Sequence, residues 1–231
     1  VLAPKDANGT PHPEYAPDVV NNSWGGAAGL NEWYRPMVQA WKSADIFVEF
    51  SAGNSGPGAG TVNAPSNYPE SYATAATDIN NALASFSSRG PSPYEGVIKP
   101  NIAAPGVNIR SAIPGNGYAS YNGTSMAGPH VSAVVALLRQ ADSSLTVDQM
   151  EEIMDLTATP LTDSTYPESP NFGYGHGLVN AFDAVSSVVS GLGKIKGTVS
   201  KEGDDTQAPE IETEPVTTSY KEMDLPLSAT A

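Results

Sequence analysis

The stretch "DVVNNSWGGAAGLNEWYRPMVQAWKSADIFVEFSAG", residues 18–53, decides the fold. Its opening, "DVVNNSW" (18–24), reads as a buried strand that runs into a glycine-rich segment. Leu30, Tyr34, Met37, Val38 and Trp41 then recur at helical spacing over residues 30–45. Pro36 belongs in the first turns of that helix, because further in it would kink the chain. "IFVEFSAG" (46–53) is a second short strand, ended by glycine. Strand, helix, strand is a βαβ unit, which predicts parallel neighbours and a right-handed crossover. The fold class is therefore α/β, with a parallel sheet flanked by helices.

Further short runs extend the sheet. "YATAATD" (72–78), "ASFSS" (84–88), "NIAAPG" (101–106) and "NIRSAI" (108–113) are strand or edge candidates. A helix is expected from about 125 to 140. Another follows in "LTVDQMEEIMDLTATP", where Thr146 and Gln149 have capping-box spacing and Pro160 lies past the end. "GLVNAFDAVSSVV" reads as a final helix. Beyond it the composition changes: residues 201–231 hold eight Asp or Glu against two Lys, with three Pro. The chain divides into residues 1–190, which carry the sheet, and 191–231, an acidic linker or the start of an accessory β domain.

Composition narrows the function classes. A net charge of −14 argues against a nucleic-acid partner. The absence of cysteine removes disulfides and thiolate metal sites. No run of 18 apolar residues is present, so no membrane span is expected. Val1 is neither an initiator Met nor part of a signal peptide, and the chain reads as a piece of something longer.

Three segments carry chemistry. In "SYNGTSMAGPHVSAVVALLRQ" (120–140), Ser125 sits where a polar loop meets a helix N-terminus. Free N–H groups and the helix dipole favour negative charge there. A serine so placed can attack a carbonyl while oriented donors receive the developing oxyanion. Thr124 or Ser125 can equally be a plain N-cap. Gly128 suits close packing, and Pro129 is read in the helix's first turn, where its missing N–H costs little. "FSAGNSGPG" (50–58) puts Asn54 in a glycine-rich turn, either for its tolerance of left-handed backbone or as an amide donor. "NNSWGG" (21–26) ends a strand in an open, glycine-lined edge to which a peptide can add.

Taken together and in order, these segments resemble the subtilisin-like serine proteases. "VVNNSWGG", "SAGNSG" and "NGTSMAGPH" resemble the family's substrate-binding strand, oxyanion asparagine and nucleophile segments. "NAPSNYPESYATAATD", "ASFSSRGP", "KPNIAAPG" and "NFGYGHGLVNAFDAV" match in order and spacing. The likeness covers roughly residues 18–187 and corresponds to the C-terminal two-thirds of the family's catalytic domain. It implies Ser125 as nucleophile, with Asn54 and the Ser125 N–H as oxyanion donors. Ser23, Trp24 and Gly25 would form one wall of a cleft for protein or peptide substrates, and Ala52 and Gly53 the other. It also implies a secreted, extracellular enzyme.

The family's aspartate and histidine precede the serine in the chain, upstream of "SWGG". They are expected on a missing N-terminal segment of the same protease, together with further strands of the sheet. The 231 residues alone are expected to be inactive. Of the three histidines, His12 lies in a loop, and His130 is about 140° around the helix from Ser125. His176 precedes the last helix. Two other readings stay open: an esterase of the α/β-hydrolase class using Ser125, Asp155 or Asp163, and His176, and a non-catalytic peptide-binding relative. Calcium is used by the family for stability. The loop at Ser66, Tyr68 and Ser71 resembles one such region, but Lys99 and Asn101 stand where some relatives carry acids. No calcium site is assigned, and the lysine can supply the positive charge itself. Glu49 and Glu32 are expected to favour basic substrate side chains.

Overall fold

The computed structural model describes residues 1–189; the proposed 191–231 segment lies outside the described residues. Four strands form one parallel sheet: β1 (Val19–Asn22), β2 (Phe47–Ser51), β3 (Tyr72–Thr77) and β4 (Ile102–Pro105). They lie in the order β1-β2-β3-β4. Val19 pairs with Phe47, Glu49 with Tyr72, and Thr74 with Ile102. Helix α1 (Arg35–Ser43) makes the crossover between β1 and β2.

Strand alternation sorts the side chains onto two faces. Val48 and Phe50 pack with Val38 and Trp41 of α1. Phe47, Tyr72, Ala76, Ile102 and Ala104 pack on the other side against α2 (Thr124–Ala141). There Ala127, Val131, Val134, Val135 and Leu138 supply the helix's apolar face. The same cluster takes in Met150 and Met154 of α3 (Val147–Thr157) and Ala184 of α4 (Ala181–Val189). Every residue of β2 and β3 is buried, as a parallel sheet covered on both faces requires. Small residues there let the layers approach: Ala73, Ala75, Ala76, Ala103 and Ala104 are all wholly buried.

The capping box at α3 is present. Gln149 N donates to Thr146 Oγ1 at 3.3 Å, and Thr146 N donates to Gln149 Oε1 at 2.8 Å. Other expectations change. Helix α1 begins only at Arg35, with Pro36 in its first turn, so Leu30 stays outside it and is 68% exposed. Met37 also faces outward, and the buried stripe is Val38 and Trp41. "ASFSS" is not a strand. The one bridge nearby, Leu83 to Thr77, comes just before it; Ala84 N donates to Ala76 O, the chain then turns, and its serines bond backbone instead: Ser87 Oγ accepts from Ala76 N, and Ser88 Oγ from Ser55 N. "NIRSAI" is β5 (Ile109–Ile113), but it leaves the main sheet to pair antiparallel with β6 (Gly117–Tyr121), a strand the sequence reading missed. Gly115 and Asn116, both at positive φ, make the turn between them. Helix α4 starts late, because Leu178 bridges to Ala103 and Thr159 before Asn180 Oδ1 caps Asp183 N.

Among the described residues no helix is long and apolar enough to cross a membrane.

Candidate active site

Residues Gly123 to Ser125 start α2, and the local chemistry there is unusual for a helix start. The N-cap is Gly123, at φ +155°, with no side-chain cap. Neither Thr124 nor Ser125 is therefore the N-cap. Thr124 is buried and serves another partner. Its N–H and its hydroxyl both donate to Asn54 Oδ1, at 2.9 and 3.0 Å, while Gly53 N donates to Thr124 Oγ1 at 3.2 Å.

This clamp fixes which way the Asn54 amide points. A backbone N–H can only donate, so the atom facing Thr124 must be the amide oxygen. The Nδ2 group then points to the other side. A Cβ built on Gly123 would lie 3.7 Å from Asn54 Nδ2 and 3.6 Å from Ser125 N. The two nitrogens thus border one space beside the Gly123 Cα, which the Met126 sulfur also borders. The Ser125 N–H is one of the first-turn donors that a helix cannot satisfy internally.

Pro129 is not in the first turn, as expected from the sequence, but inside α2. An interior proline removes the N–H that would bond the carbonyl four residues back. That carbonyl belongs to Ser125, and Ser23 Oγ donates to it at 3.2 Å. Ser23 Oγ in turn accepts from Asn21 Nδ2 at 3.1 Å. The end of β1 is tied in this way to the helix that carries Ser125.

A pocket of about 160 Å³ opens at this junction, lined by Ser23, Trp24, Gly25, Ser51, Gly53, Asn54, Asn63, Thr124 and Ser125. It brings together six of the seven site residues read from the sequence. Ala52 is the exception. It is fully buried, and its backbone bonds Thr74 and Asn63. Alternation along the strand turns it away and presents Ser51 and Gly53 instead. Gly53 has φ +106°, and a Cβ there would come within 2.9 Å of Asn63 Nδ2 and 2.8 Å of Ser88 Oγ. The glycine edge beyond Trp24 is partly used, since Gly26 N donates to Ala64 O and Ala64 N to Ala27 O.

Asn63 and Ser51 were missed by the sequence reading. Asn63 stood inside a matched segment without a role, and nothing but strand alternation marked Ser51. Thr124 was noticed only as a candidate cap.

Neither expected acid lines the pocket. Glu32 is on the surface, paired with Arg35 at 2.6 Å. Glu49 is wholly buried, and burial pushes its carboxyl up to about 8, against smaller pulls from the Thr74 hydroxyl and the Asn22 backbone. No histidine lines the pocket either. His12 pairs with Glu14 at 2.8 Å, and His130 Nδ1 lies 2.9 Å from Met126 O. His176 lies 3.5 Å from Asp155, whose other oxygen accepts from Tyr72. The Asp155–His176 pair needed by the esterase reading exists, but it is occupied away from the Ser125 pocket.

The region that resembles a calcium site does not fit calcium. The buried Lys99 ammonium donates to the Ser71 carbonyl and to Asn101 Oδ1. A divalent ion would meet a tethered cation there and no carboxylate ligand. Among the described residues no group of three or more His, Asp, Glu or Cys is placed to hold a metal.

A sequence model of the subtilase family matches residues 6–177, and the chain belongs to that family of serine peptidases. Among individual relatives it is 65% identical over 236 residues to bacillopeptidase F of Bacillus subtilis (strain 168), across all of this chain and 16% of that protein. It is 42% identical over 163 residues to alkaline elastase YaB of Bacillus sp. (strain YaB), covering 71% of this chain and 39% of the relative. The chain thus spans well under half the length of these relatives. In three dimensions it is similar to the prenylagaramide maturation protease PagA, with a TM-score of 0.62 at 24% identity, over 74% of this chain and 62% of that one. The parallel sheet flanked by helices is the fold the two share.

Proposed function

We propose that the chain carries the nucleophile half of a subtilisin-like serine endopeptidase. The observation that supports this reading most is the Thr124–Asn54 clamp, which aims the Asn54 amide and the Ser125 N–H at one open space beside Gly123. In this reading Ser125 Oγ attacks the scissile carbonyl carbon, and the carbonyl oxygen takes up negative charge between those two donors. The hydroxyl proton passes to a histidine and then to the departing amine as the C–N bond breaks. Water releases the acyl group from Ser125 by the same steps. Ser23, Trp24 and Gly25 on one side and Gly53 on the other hold the peptide.

The histidine and its aspartate come from an N-terminal segment of the same protease. The outer side of β1 has no partner strand among the described residues. Beside it an opening of about 790 Å³ lies between Pro17–Val19 and the C-terminal half of α2. Both features suit an added strand. Residues 1–190 are then the C-terminal part of the catalytic domain, and 191–231 an acidic linker or the start of an accessory domain. A secreted, extracellular location completes the reading and is supported by the likeness to Bacillus subtilases.

A fluorophosphonate serine probe tests it. The chain with its N-terminal segment takes the label, and Ser125→Ala abolishes it. The chain alone labels slower by orders of magnitude, because subtilisin, a relative, loses about 10⁶ in turnover without its histidine. Rapid labelling of the lone chain would refute the borrowed base. Peptide binding without labelling under either condition would mark a non-catalytic relative.

A further inference from the structure

Glu49 stands out among the groups the proposed chemistry does not use. It lies in the middle of a strand buried throughout, and neither carboxyl oxygen makes a well-formed hydrogen bond, the Thr74 hydroxyl and the Asn22 backbone exerting only the weaker pulls noted above. A buried polar group left unpaired is costly, so its retention calls for a reason. The carboxyl is pressed against the Cα of Gly128: a Cβ built there would come within 2.7 Å of Oε2 and closer still to Oε1. Gly128 is three residues past Ser125, on the neighbouring turn of α2 and the same side of the helix. Two other buried hydroxyls that make no well-formed hydrogen bond, Ser51 Oγ and Thr74 Oγ1, belong to register partners two residues further along β2 and β3. Ser51 also lines the Ser125 pocket. A polar strip therefore runs beneath the start of α2 from Glu49 to the floor of the pocket.

We propose that Glu49 is a positioning residue for Ser125, its carboxyl acting as the rest on which the first turns of α2 sit. This inference relies on the nucleophile role proposed above for Ser125. The helix start has few bonds of its own: Met126 N donates to the Gly123 carbonyl, but the N-cap has no side chain, and Pro129 takes the donor from the Ser125 carbonyl. Ser23 and Asn54 fix this turn from above, and Glu49 supports it from the sheet. The rest works as a neutral acid, and ionisation would place an unpaired charge in the layer between sheet and helix. From the elements packed against it, β1 offers only Asn21 and Asn22 and no titratable group. β3 offers Tyr72, committed to Asp155, and α2 offers His130, set against Met126 O. None pairs with the carboxyl.

The test uses the complete protease, with probe-labelling rate, kcat and KM measured from pH 6 to 10. The wild type is expected to lose labelling and kcat as pH rises past about 8, with KM nearly constant. Glu49→Gln, of the same shape and always neutral, is expected to restore the rate on that alkaline limb. Glu49→Ala removes the rest and should lower kcat ten-fold or more at pH 7 without a matching rise in KM. Gly128→Ala should lower labelling by a similar factor through its clash with the carboxyl, and the double variant Glu49→Ala/Gly128→Ala should recover most of the loss. A purely space-filling role would shift melting temperature and leave the pH profile of Glu49→Gln like the wild type's, which would overturn the proposal. Strict additivity of the two alanine changes would overturn it too, and should Glu49→Ala fail to fold, the pH profile of Glu49→Gln still decides. Wild type that takes no label at any pH would instead defeat the nucleophile reading itself, and this inference with it.

Discussion

Ser23 donates a hydrogen bond to the carbonyl oxygen of Ser125, the helix position that Pro129 leaves without a backbone donor. The two serines are far apart in sequence and come from different layers, so this bond sets where β1 meets α2. Ser23→Ala removes the donor and leaves the carbonyl to solvent. Because the bond is exposed, the expected cost is at the low end of about 0.5–1.5 kcal/mol. Probe labelling should slow several-fold, and Ser23→Thr should restore most of it. Equal labelling rates in all three proteins would show that the tie has no bearing on Ser125.

Asn54 has two separable duties. Its oxygen holds Thr124, and its nitrogen faces the open space. Asn54→Ala should lower kcat by about 10²–10³ with little change in KM, the loss measured for the corresponding donor in subtilisin, a relative. Asn54→Asp keeps an acceptor for Thr124 but replaces the donor with negative charge. It should melt close to the wild type while losing at least as much activity. If Asn54→Asp retains activity, the amide is a structural clamp and not an oxyanion donor.

Gly123→Ala would put a methyl group into the space shared by Asn54 Nδ2 and Ser125 N, at a backbone angle few side chains adopt. The expected cost is about 1–3 kcal/mol of strain. Labelling should fall far more than that destabilisation accounts for. Folding can be followed by thermal melting and the site by probe labelling. A variant that melts early but labels normally when folded would place the oxyanion elsewhere.

Much of this site could be read from the chain, for local reasons. Glycine, asparagine and serine at strand and helix ends left short-range marks, and hydrophobic spacing placed the βαβ unit. What escaped was set by partners distant in sequence. Pro129 was placed in a first turn although it is the fifth or sixth helical residue, and its replacement donor, Ser23, lies just past the end of β1, far away in sequence. Ala52 was put in the pocket wall on the family resemblance, and strand alternation, which turns it into the core, was not weighed against it. Glu49 was given to the substrate because an acid is expected at a surface, and only the cover of α2 shows otherwise. "NIRSAI" was rightly a strand, but no local feature says which sheet a strand joins.

Lys99 bears on metal dependence. Its ammonium already satisfies the Ser71 carbonyl and Asn101, so a chelator should leave the melting temperature unchanged through this region. Replacing it by a ligand reverses the case. Lys99→Glu with Asn101→Asp would add two carboxylates beside the Ser71 carbonyl, a start on the oxygen shell that calcium takes. The double variant should be less stable than the wild type without calcium and should regain several degrees at millimolar calcium. Melting curves with and without chelator read this directly, and a variant indifferent to calcium would mean that too few carbonyls face the cavity.

Glu49 also predicts a pH dependence of stability, apart from any role in catalysis. Its ordinary value is 4.5, and burial in the folded chain raises it to about 8. Between those values the folded chain holds a proton that the unfolded chain has released, so rising pH favours unfolding. The stability gained from the neutral carboxyl is complete below about 4.5, erodes through the window, and is lost once pH passes about 8. At roughly 1.4 kcal/mol per pH unit, the span amounts to several kcal/mol. Burial also raises Glu151 and Asp155, which slope the same way, so the wild-type curve alone cannot isolate Glu49. The difference between wild type and Glu49→Gln can. Urea midpoints at pH 5, 6.5 and 8 should show the wild type losing stability relative to Glu49→Gln at each step. A constant offset across the three would mean that the carboxyl keeps an ordinary titration, and that the sheet beneath α2 is better solvated than its packing implies.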